Sequence, residues 1–292
     1  MTAEVAADTG GPLLFERRRS TYPVLAAFAL AAIVLLALFE WFPIDMRVQR
    51  ALFDPALGDF RWHRDPALEF WLHIQARRAL YLFPVVAALG WVVEARAARR
   101  AKEVARRARA TARARRWRFV LAALLLAPTA VSLAKQLTDR PCPWDLAEFG
   151  GGVRRYGLFE PAPAGARPLA CFPAGHASGG FALFAFALAA GAGAGTRSGV
   201  NESGTADAVA RRRRIAVVGW IALSVALGTL LGAVRVLQGA HFVSHVLWSA
   251  WLVWLVQWSL ARWMLRAPGT APRSAIGPAR PAARAPHGGR LP

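Results

Sequence analysis

The feature that most restricts the fold of this chain is a series of long apolar windows. A helix crosses the hydrocarbon core of a bilayer with about 20 residues, and the 292-residue sequence is 55% hydrophobic. The windows that reach or approach that length are 22–42, 80–93, 117–137, 174–194, 215–234 and 241–265. They predict an all-α, polytopic membrane bundle of about six transmembrane helices.

Composition divides the chain into three parts. Residues 1–21 form an N-terminal segment, residues 22–265 hold the apolar windows, and residues 266–292 are rich in Pro, Ala, Gly and Arg. A tail of that composition cannot bury a core, so we expect it to be disordered. The first window is too long for a removable signal peptide, and we interpret it as an anchor.

The distribution of basic residues predicts the orientation in the membrane. The formal net charge is +20, almost all from arginine. A basic soluble protein would suggest nucleic acid, but here the arginines lie between apolar windows, as the positive-inside rule requires. We therefore predict no nucleic-acid partner, membrane lipids as the surroundings, and cytoplasmic termini. The basic segments that share the cytoplasmic side are 17–19, 94–118, 211–214 and the tail; Arg77 and Arg78 run against this count. We interpret 95–116 as a solvated basic loop, with an amphipathic helix on anionic lipid as the alternative.

Polar residues collect at the external ends of three windows. They are Lys135, Arg140 and Asp145 in AKQLTDRPCPWDL; His176 and Ser178 in CFPAGHASGG; and Arg235, His241 and His245 in VRVLQGAHFVSH. Each cluster alone has a simpler explanation, such as a snorkelling lysine or a helix cap. Together they offer cations and a helix N-terminus for phosphate, and histidines for acid–base or nucleophilic catalysis.

The three clusters resemble the signature motifs of the PAP2 superfamily, the type 2 phosphatidic acid phosphatases related to vanadium haloperoxidases. The family pattern is K-x6-R-P, then P-S-G-H, then S-R-x5-H-x3-D. Arg235 and His241 keep the x5 spacing, and Pro173, Gly175 and His176 match the second motif. The resemblance covers about residues 119–262 and implies the family's helical membrane fold.

The sequence also departs from the family pattern. Cys142 stands where the first motif has arginine, and Arg140 lies two residues earlier, where we expect it to supply the missing guanidinium. Ala174 and Val234 replace serines of the second and third motifs. His245 replaces the last aspartate, so we predict that it accepts a hydrogen bond from the ring of His241; the alternative is a polar residue that bonds a neighbouring helix.

The resemblance implies a metal-independent phosphatase without a cofactor. His241 would attack phosphorus, and His176 would protonate the leaving oxygen and then activate water. Lys135, Arg140 and Arg235 would hold phosphate oxygens, with the N–H of Gly175 as a further donor. The substrate would be a lipid phosphate or pyrophosphate, such as phosphatidic acid, phosphatidylglycerol phosphate, undecaprenyl pyrophosphate or a lipid A phosphate. The site would face the periplasm from a bacterial inner membrane.

Three other functions stay open on the residues alone. Phosphotransfer to another lipid is the alternative within the enzyme class. Histidines four apart, as His241 and His245 are, can ligate zinc, with a third ligand from His176, Asp145 or a cysteine. A transporter or structural membrane protein is the third class, and cations at the outer surface rather than the midplane argue against transport. Nothing in the sequence predicts the oligomeric state.

The two cysteines of the chain, Cys142 and Cys171, lie in the same predicted external loop. In an oxidising periplasm they could form one disulfide beside the first and second motifs. We predict the bridge, with two free thiols as the alternative.

Overall fold

The computed structural model describes residues 21–157, 160–163, 169–192 and 203–265. In the last range, side chains are described from residue 207 onward. The predicted tail, and the N-terminal segment up to residue 20, lie outside the described residues. The α-helices are α1 Tyr22–Trp41, α2 Ile44–Leu52, α3 Ala76–Leu80, α4 Leu82–Arg100, α5 Val104–Thr138, α6 Gly175–Phe181, α7 Phe184–Gly191, α8 Ser203–Leu237 and α9 Val243–Met264. A π-helix, Leu68–Gln75, leads into α3, and two short strands, β1 Phe53–Asp54 and β2 Asp59–Phe60, form an antiparallel hairpin.

The predicted all-α membrane fold is confirmed. Within the described residues, four helical stretches are long and apolar enough to cross a membrane: Tyr22–Trp41, Leu68–Arg100, Val104–Thr138 and Asp207–Leu237. The predicted window 174–194 corresponds to the shorter apolar stretch Gly175–Gly191. The last window corresponds to α9, which has 22 residues and carries His245 and Gln257 within its apolar sequence.

The interpretation of 95–116 as a loop was wrong for most of its length. Helix α4 extends to Arg100, and α5 begins at Val104, well before the apolar window at 117. Arginine and alanine are both strong helix formers. Ala110 and Ala114 are buried, and Nε of Arg113 lies 2.7 Å from Oε1 of Glu94 on α4. Contact with α4 thus extends the helix into the basic segment.

The membrane bundle packs around α5, α6, α7 and α9. One core cluster joins Phe119 and Ala123 of α5 to Leu183 and Ala261. Helices α6 and α8 approach closely at Gly180 and Gly228, where a Cβ on Gly180 would lie 2.4 Å from the backbone nitrogen of Gly228. Small residues permit such close approach between membrane helices. Helix α1 buries little of its surface and contacts α9, where Nε1 of Trp251 donates to the carbonyl of Phe28 at 3.0 Å.

A small cap covers one end of the bundle. Its apolar cluster comprises Met46 from α2, Phe60 from the hairpin, Leu146 and Phe149 from the loop after α5, and Phe242 before α9. The cap also holds backbone at the start of α9. The buried carboxylate of Asp45 accepts hydrogen bonds from the backbone N–H and the hydroxyl of Ser244, and so caps α9 from a distant part of the chain.

Candidate active site

The third motif forms the turn between α8 and α9. The carbonyl of Arg235 accepts hydrogen bonds from the N–H groups of Ala240 and His241, at 2.9 and 3.2 Å. Gly239 makes this turn with φ of +70°, and a Cβ there would lie 2.2 Å from the ring of Phe60. A glycine is therefore needed both for its left-handed conformation and for the close contact with the cap. The turn brings Arg235 and His241 to the same end of the bundle.

His241 is buried and held from its backbone. The residue is only 3% exposed, and its carbonyl accepts a hydrogen bond from Nε2 of Gln49, at 3.0 Å. Gln49 lies on α2, one helical turn beyond Asp45. Helix α2 thus fixes the backbone around His241 at two points.

A disulfide joins Cys142 to Cys171, with their Cα atoms 5.2 Å apart. Sγ of Cys171 lies 3.4 Å from Nδ1 of His241. A disulfide sulfur carries no proton, so it can only accept, and a hydrogen bond here requires the proton on Nδ1. That tautomer leaves the lone pair of His241 on Nε2. The 2.9 Å approach of the same sulfur to the carbonyl of Ala240 is a contact between two acceptors.

His245 does not orient His241 in the predicted way. The ring centroids of the two histidines are 5.8 Å apart, and the described residues contain no hydrogen bond between the rings. The ring of His245 instead lies beside the backbone of Cys171 and packs between Phe172 and Phe242, with ring centroids 5.2 and 5.1 Å away. The physical reason is packing: Phe172 and Phe242 enclose the ring of His245, and the disulfide sulfur lies against Nδ1 of His241.

The second motif docks on the third through the backbone. The N–H of Ala174 donates to the carbonyl of His245 at 3.1 Å. The hydroxyl of Ser249 bonds the carbonyls of both Ala174 and His245. These bonds place His176, in the first turn of α6, beside the third motif. Nε2 of His176 has no hydrogen-bond partner among the described residues.

Lys135, Gly175 and His176 line one cavity of about 460 Å³. The cavity is also lined by Arg77, Ser132 and Tyr81 at its polar end. Along α5 the lining runs from Lys135 to Leu124, a distance of about 16 Å at 1.5 Å per residue. The other lining residues include an apolar set: Leu80, Pro84, Leu124, Leu125, Pro128, Leu183 and Leu231. The cavity is therefore amphiphilic.

The charged groups around His241 form one cluster. Lys135, Arg235, His176 and His245 all lie near enough for their charges to act on His241. The guanidinium of Arg235 is held by three neighbours. Its Nη1 donates to Oε1 of Gln238 at 2.8 Å and lies 3.0 Å from Nδ1 of His73. Its guanidinium carbon lies 5.5 Å from the ring centre of Trp144.

Arg140, which we predicted to supply the missing guanidinium, does not line the cavity of Lys135 and His176. It donates to the carbonyls of Gly157 and Glu160 and stacks on the ring of Tyr156, 4.9 Å from its centre. It lines a second, smaller cavity rather than the one beside His176. These carbonyls of the external loop bind the guanidinium and fix its position.

Sequence reasoning missed two groups of residues at the site. Asp45 and Gln49 fix the start of α9 from α2, and Glu69, His73 and Arg77 approach His176 and Arg235 from the π-helix and α3. The sequence held a signal for the second group, because Glu69, His73 and Arg77 follow one another at four-residue spacing, which places polar residues on one face of a helix.

A possible metal site involves the same histidines. Within the described residues, Cys171, His241 and His245 place one ligand atom each within 4.8 Å of one another. Zinc requires the thiolate form of cysteine, and the sulfur of Cys171 is bonded to Cys142. With the disulfide intact, this set offers two nitrogen ligands and no thiolate.

The fold and site together define an α-helical membrane protein with a cationic, histidine-containing site at one end of the bundle. Comparison with protein families matches the PAP2 superfamily over residues 116–268, slightly more than half of the chain. The chain belongs to the PAP2 superfamily, and membership supports a phosphatase-type function in general. Comparisons with curated proteins and with solved structures found no match.

Proposed function

We propose that this protein is a membrane phosphatase that removes phosphate from a lipid phosphate or pyrophosphate through a phosphohistidine on His241. The observation that carries the proposal is the amphiphilic cavity beside His176. Lys135 and His176 lie at its polar end, and leucine and proline side chains line it deeper along α5. A phosphorylated head group would occupy the polar end while its tail lies against the apolar walls.

The side of the cavity facing the bilayer supports a lipid substrate. Leu125 and Tyr81, which both line the cavity, are 50% and 58% exposed on the bundle surface. Apolar surface of this kind on a membrane helix faces lipid. A lipid would therefore enter sideways, between α5 and the α3–α4 segment, without leaving the bilayer.

The chemistry requires two steps with one proton carried by His176. In the first, Nε2 of His241 attacks phosphorus, the bond to the leaving oxygen breaks, and protonated His176 gives that oxygen its proton. In the second, neutral His176 takes a proton from water, the hydroxide attacks phosphorus, and the P–N bond breaks to release phosphate. Lys135 and Arg235 stabilise the charge on the non-bridging oxygens.

The orientation of α5 supports an external site. It is a single helix of 35 residues with an arginine-rich start and Lys135 near its end, so its ends are about 50 Å apart. If the arginine-rich end is cytoplasmic, as the positive-inside rule requires, the catalytic end lies on the opposite side. The disulfide beside the site suits an oxidising compartment such as the periplasm.

The test is phosphate release by the purified protein from a panel of lipid phosphates and pyrophosphates, with and without EDTA. We expect release by the wild type, no release by His241→Ala, and no effect of EDTA. Analysis of the lipid products separates hydrolysis from transfer to another lipid. Activity that EDTA abolishes, or full activity of His241→Ala, would reject the proposal.

A further inference from the structure

Glu69, His73 and Arg77 form a row of polar side chains outside the region that matches the family. They lie four residues apart on the π-helix and α3, a spacing that places them on one side of a helical segment. The matched region begins only at residue 116. The row therefore belongs to a part of the chain that carries no family motif.

The first two residues of the row contact catalytic groups. The rings of His73 and His176 meet edge to face, with centroids 4.0 Å apart. Nδ1 of His73 also lies 3.0 Å from Nη1 of Arg235 and 3.1 Å from Oε2 of Glu69, while the Glu69 oxygen lies 3.8 Å from the same Nη1. The row thus packs directly against His176 and Arg235.

The third residue, Arg77, reaches the cavity itself. It lines the same space as Lys135 and His176, and its charge acts on His176. Its Nε donates to the hydroxyl of Tyr81 at 3.1 Å. Its two terminal nitrogens have no hydrogen-bond partner within the part of the chain that the structure describes. Arginine presents such paired N–H groups to phosphate oxygens in a fixed fork.

The site lacks one cation that the first motif should provide. Cys142 stands where the first motif has arginine, and its sulfur is bonded to Cys171. Arg140 donates its hydrogen bonds to loop carbonyls. Arg77 also runs against the positive-inside rule, since it lies at the external end of its helical stretch. A phosphate ligand would explain a cation in that position.

We propose that Arg77 binds the substrate phosphate and supplies the guanidinium that the first motif has lost. This rests on the proposed phosphatase function. Because the guanidinium would bind phosphate in the ground state as well as in the transition state, its removal should raise KM in addition to any loss of kcat.

The experiment compares Arg77→Ala with Arg78→Ala, a matched loss of charge at the neighbouring exposed position. We expect KM for a lipid phosphate to rise about 10-fold or more in Arg77→Ala, as for the loss of a charged hydrogen bond, and to stay at the wild-type value in Arg78→Ala. Arg77→Lys should recover part of the loss. Added guanidinium ion should partly restore Arg77→Ala and should not restore His241→Ala.

A binding measurement separates this inference from the proposed function. Calorimetric titration of the detergent-solubilised protein with orthovanadate needs no turnover, so it can be read even if no lipid phosphate is hydrolysed. We expect orthovanadate to bind about 10-fold or more weakly to Arg77→Ala than to Arg78→Ala. Equal orthovanadate affinity and equal KM in the two variants would overturn the role of Arg77, while activity that depends on His241 would leave the phosphatase function standing.

Discussion

Sγ of Cys171 lies 3.4 Å from Nδ1 of His241, and Cys171 is bonded to Cys142. The resemblance to the family pattern implies an aspartate four residues after His241, and here that position is His245, whose ring lies beside the backbone of Cys171. The disulfide thus lies beside the proposed nucleophile, at the ring nitrogen that the aspartate of the family pattern would hold. It joins Cys142 of the first motif to Cys171, just before the second motif, and its sulfur contacts the ring of His241 in the third.

The first prediction concerns this bridge. Reduction, or the paired change Cys142→Ala with Cys171→Ala, removes the acceptor at Nδ1 of His241 and frees the external loop. We expect kcat to fall by about 10-fold or more, and stability to fall by up to about 3–4 kcal/mol, as for a loop of this length. Thermal unfolding and kcat should be measured together, with alkylation and intact mass as the check on the thiols. Unchanged kcat and pH profile after full reduction would contradict the role of the bridge.

The second prediction concerns His245. Because its ring is buried between Phe172 and Phe242 and has no hydrogen bond to His241, its main contribution is to packing and to the backbone of Cys171. We expect His245→Ala to lower stability by about 2–4 kcal/mol, as for a large side chain lost from a core. His245→Asn keeps a polar side chain beside the backbone of Cys171 and should lose less activity than His245→Ala. If His245→Ala unfolds like the wild type but loses kcat alone, the histidine acts on the chemistry directly.

The third prediction concerns Asp45 and pH. Burial raises the pKa of this carboxyl above its ordinary value, against the hydrogen bonds from Ser244 that lower it. A raised pKa means that the folded protein binds the proton more tightly. The stability from this proton is fully present below the ordinary pKa of 3.8, and it is lost as pH rises through the folded-state pKa.

Asp45→Asn provides the control, since asparagine does not titrate. We expect the stability of the wild type relative to Asp45→Asn to increase as pH falls from 7 toward 4. Thermal melts of both proteins at each pH give the difference, in which other titrating groups cancel. A difference that stays constant over that range would show that Asp45 has an ordinary pKa.

The fourth prediction concerns the contact between α6 and α8. A Cβ on Gly180 would lie 2.4 Å from the backbone nitrogen of Gly228, whereas a Cβ on Gly219 of α8 would meet nothing within 4 Å. We therefore expect Gly180→Ala to destabilise the protein by about 1–3 kcal/mol. Gly219→Ala should be neutral or stabilising by up to about 1 kcal/mol, from helix propensity. Equal melting temperatures for the two variants would argue against the close helix contact.

Apolar windows were sufficient to predict the helical membrane bundle, and the order of the motifs predicted that Lys135, His176, Arg235 and His241 lie at one end of it. They could not predict that α5 begins at Val104, because the basic segment owes its helical form partly to burial of Ala110 and Ala114 against α4. The position of Arg140 depends on the carbonyls of Gly157 and Glu160, which are close only in the folded loop.

The orientation of the two histidines of the third motif was equally beyond sequence reasoning. The four-residue spacing brings the rings within reach, but the sulfur that contacts Nδ1 of His241 belongs to Cys171, 70 residues away. Likewise, α2 fixes the start of α9 across 199 residues, through Asp45 and Ser244. Contacts between distant segments decide these details.

The most direct test of the account is detection of phosphate on His241 during turnover. The wild type is mixed with a ³²P-labelled lipid phosphate, quenched in alkali, which preserves phosphohistidine, and digested for mass spectrometry. We expect an alkali-stable, acid-labile phosphate on the peptide that holds His241, and none in His241→Ala. Active wild-type enzyme that carries no such phosphate under rapid quenching, or a label on another residue, would contradict the phosphohistidine mechanism.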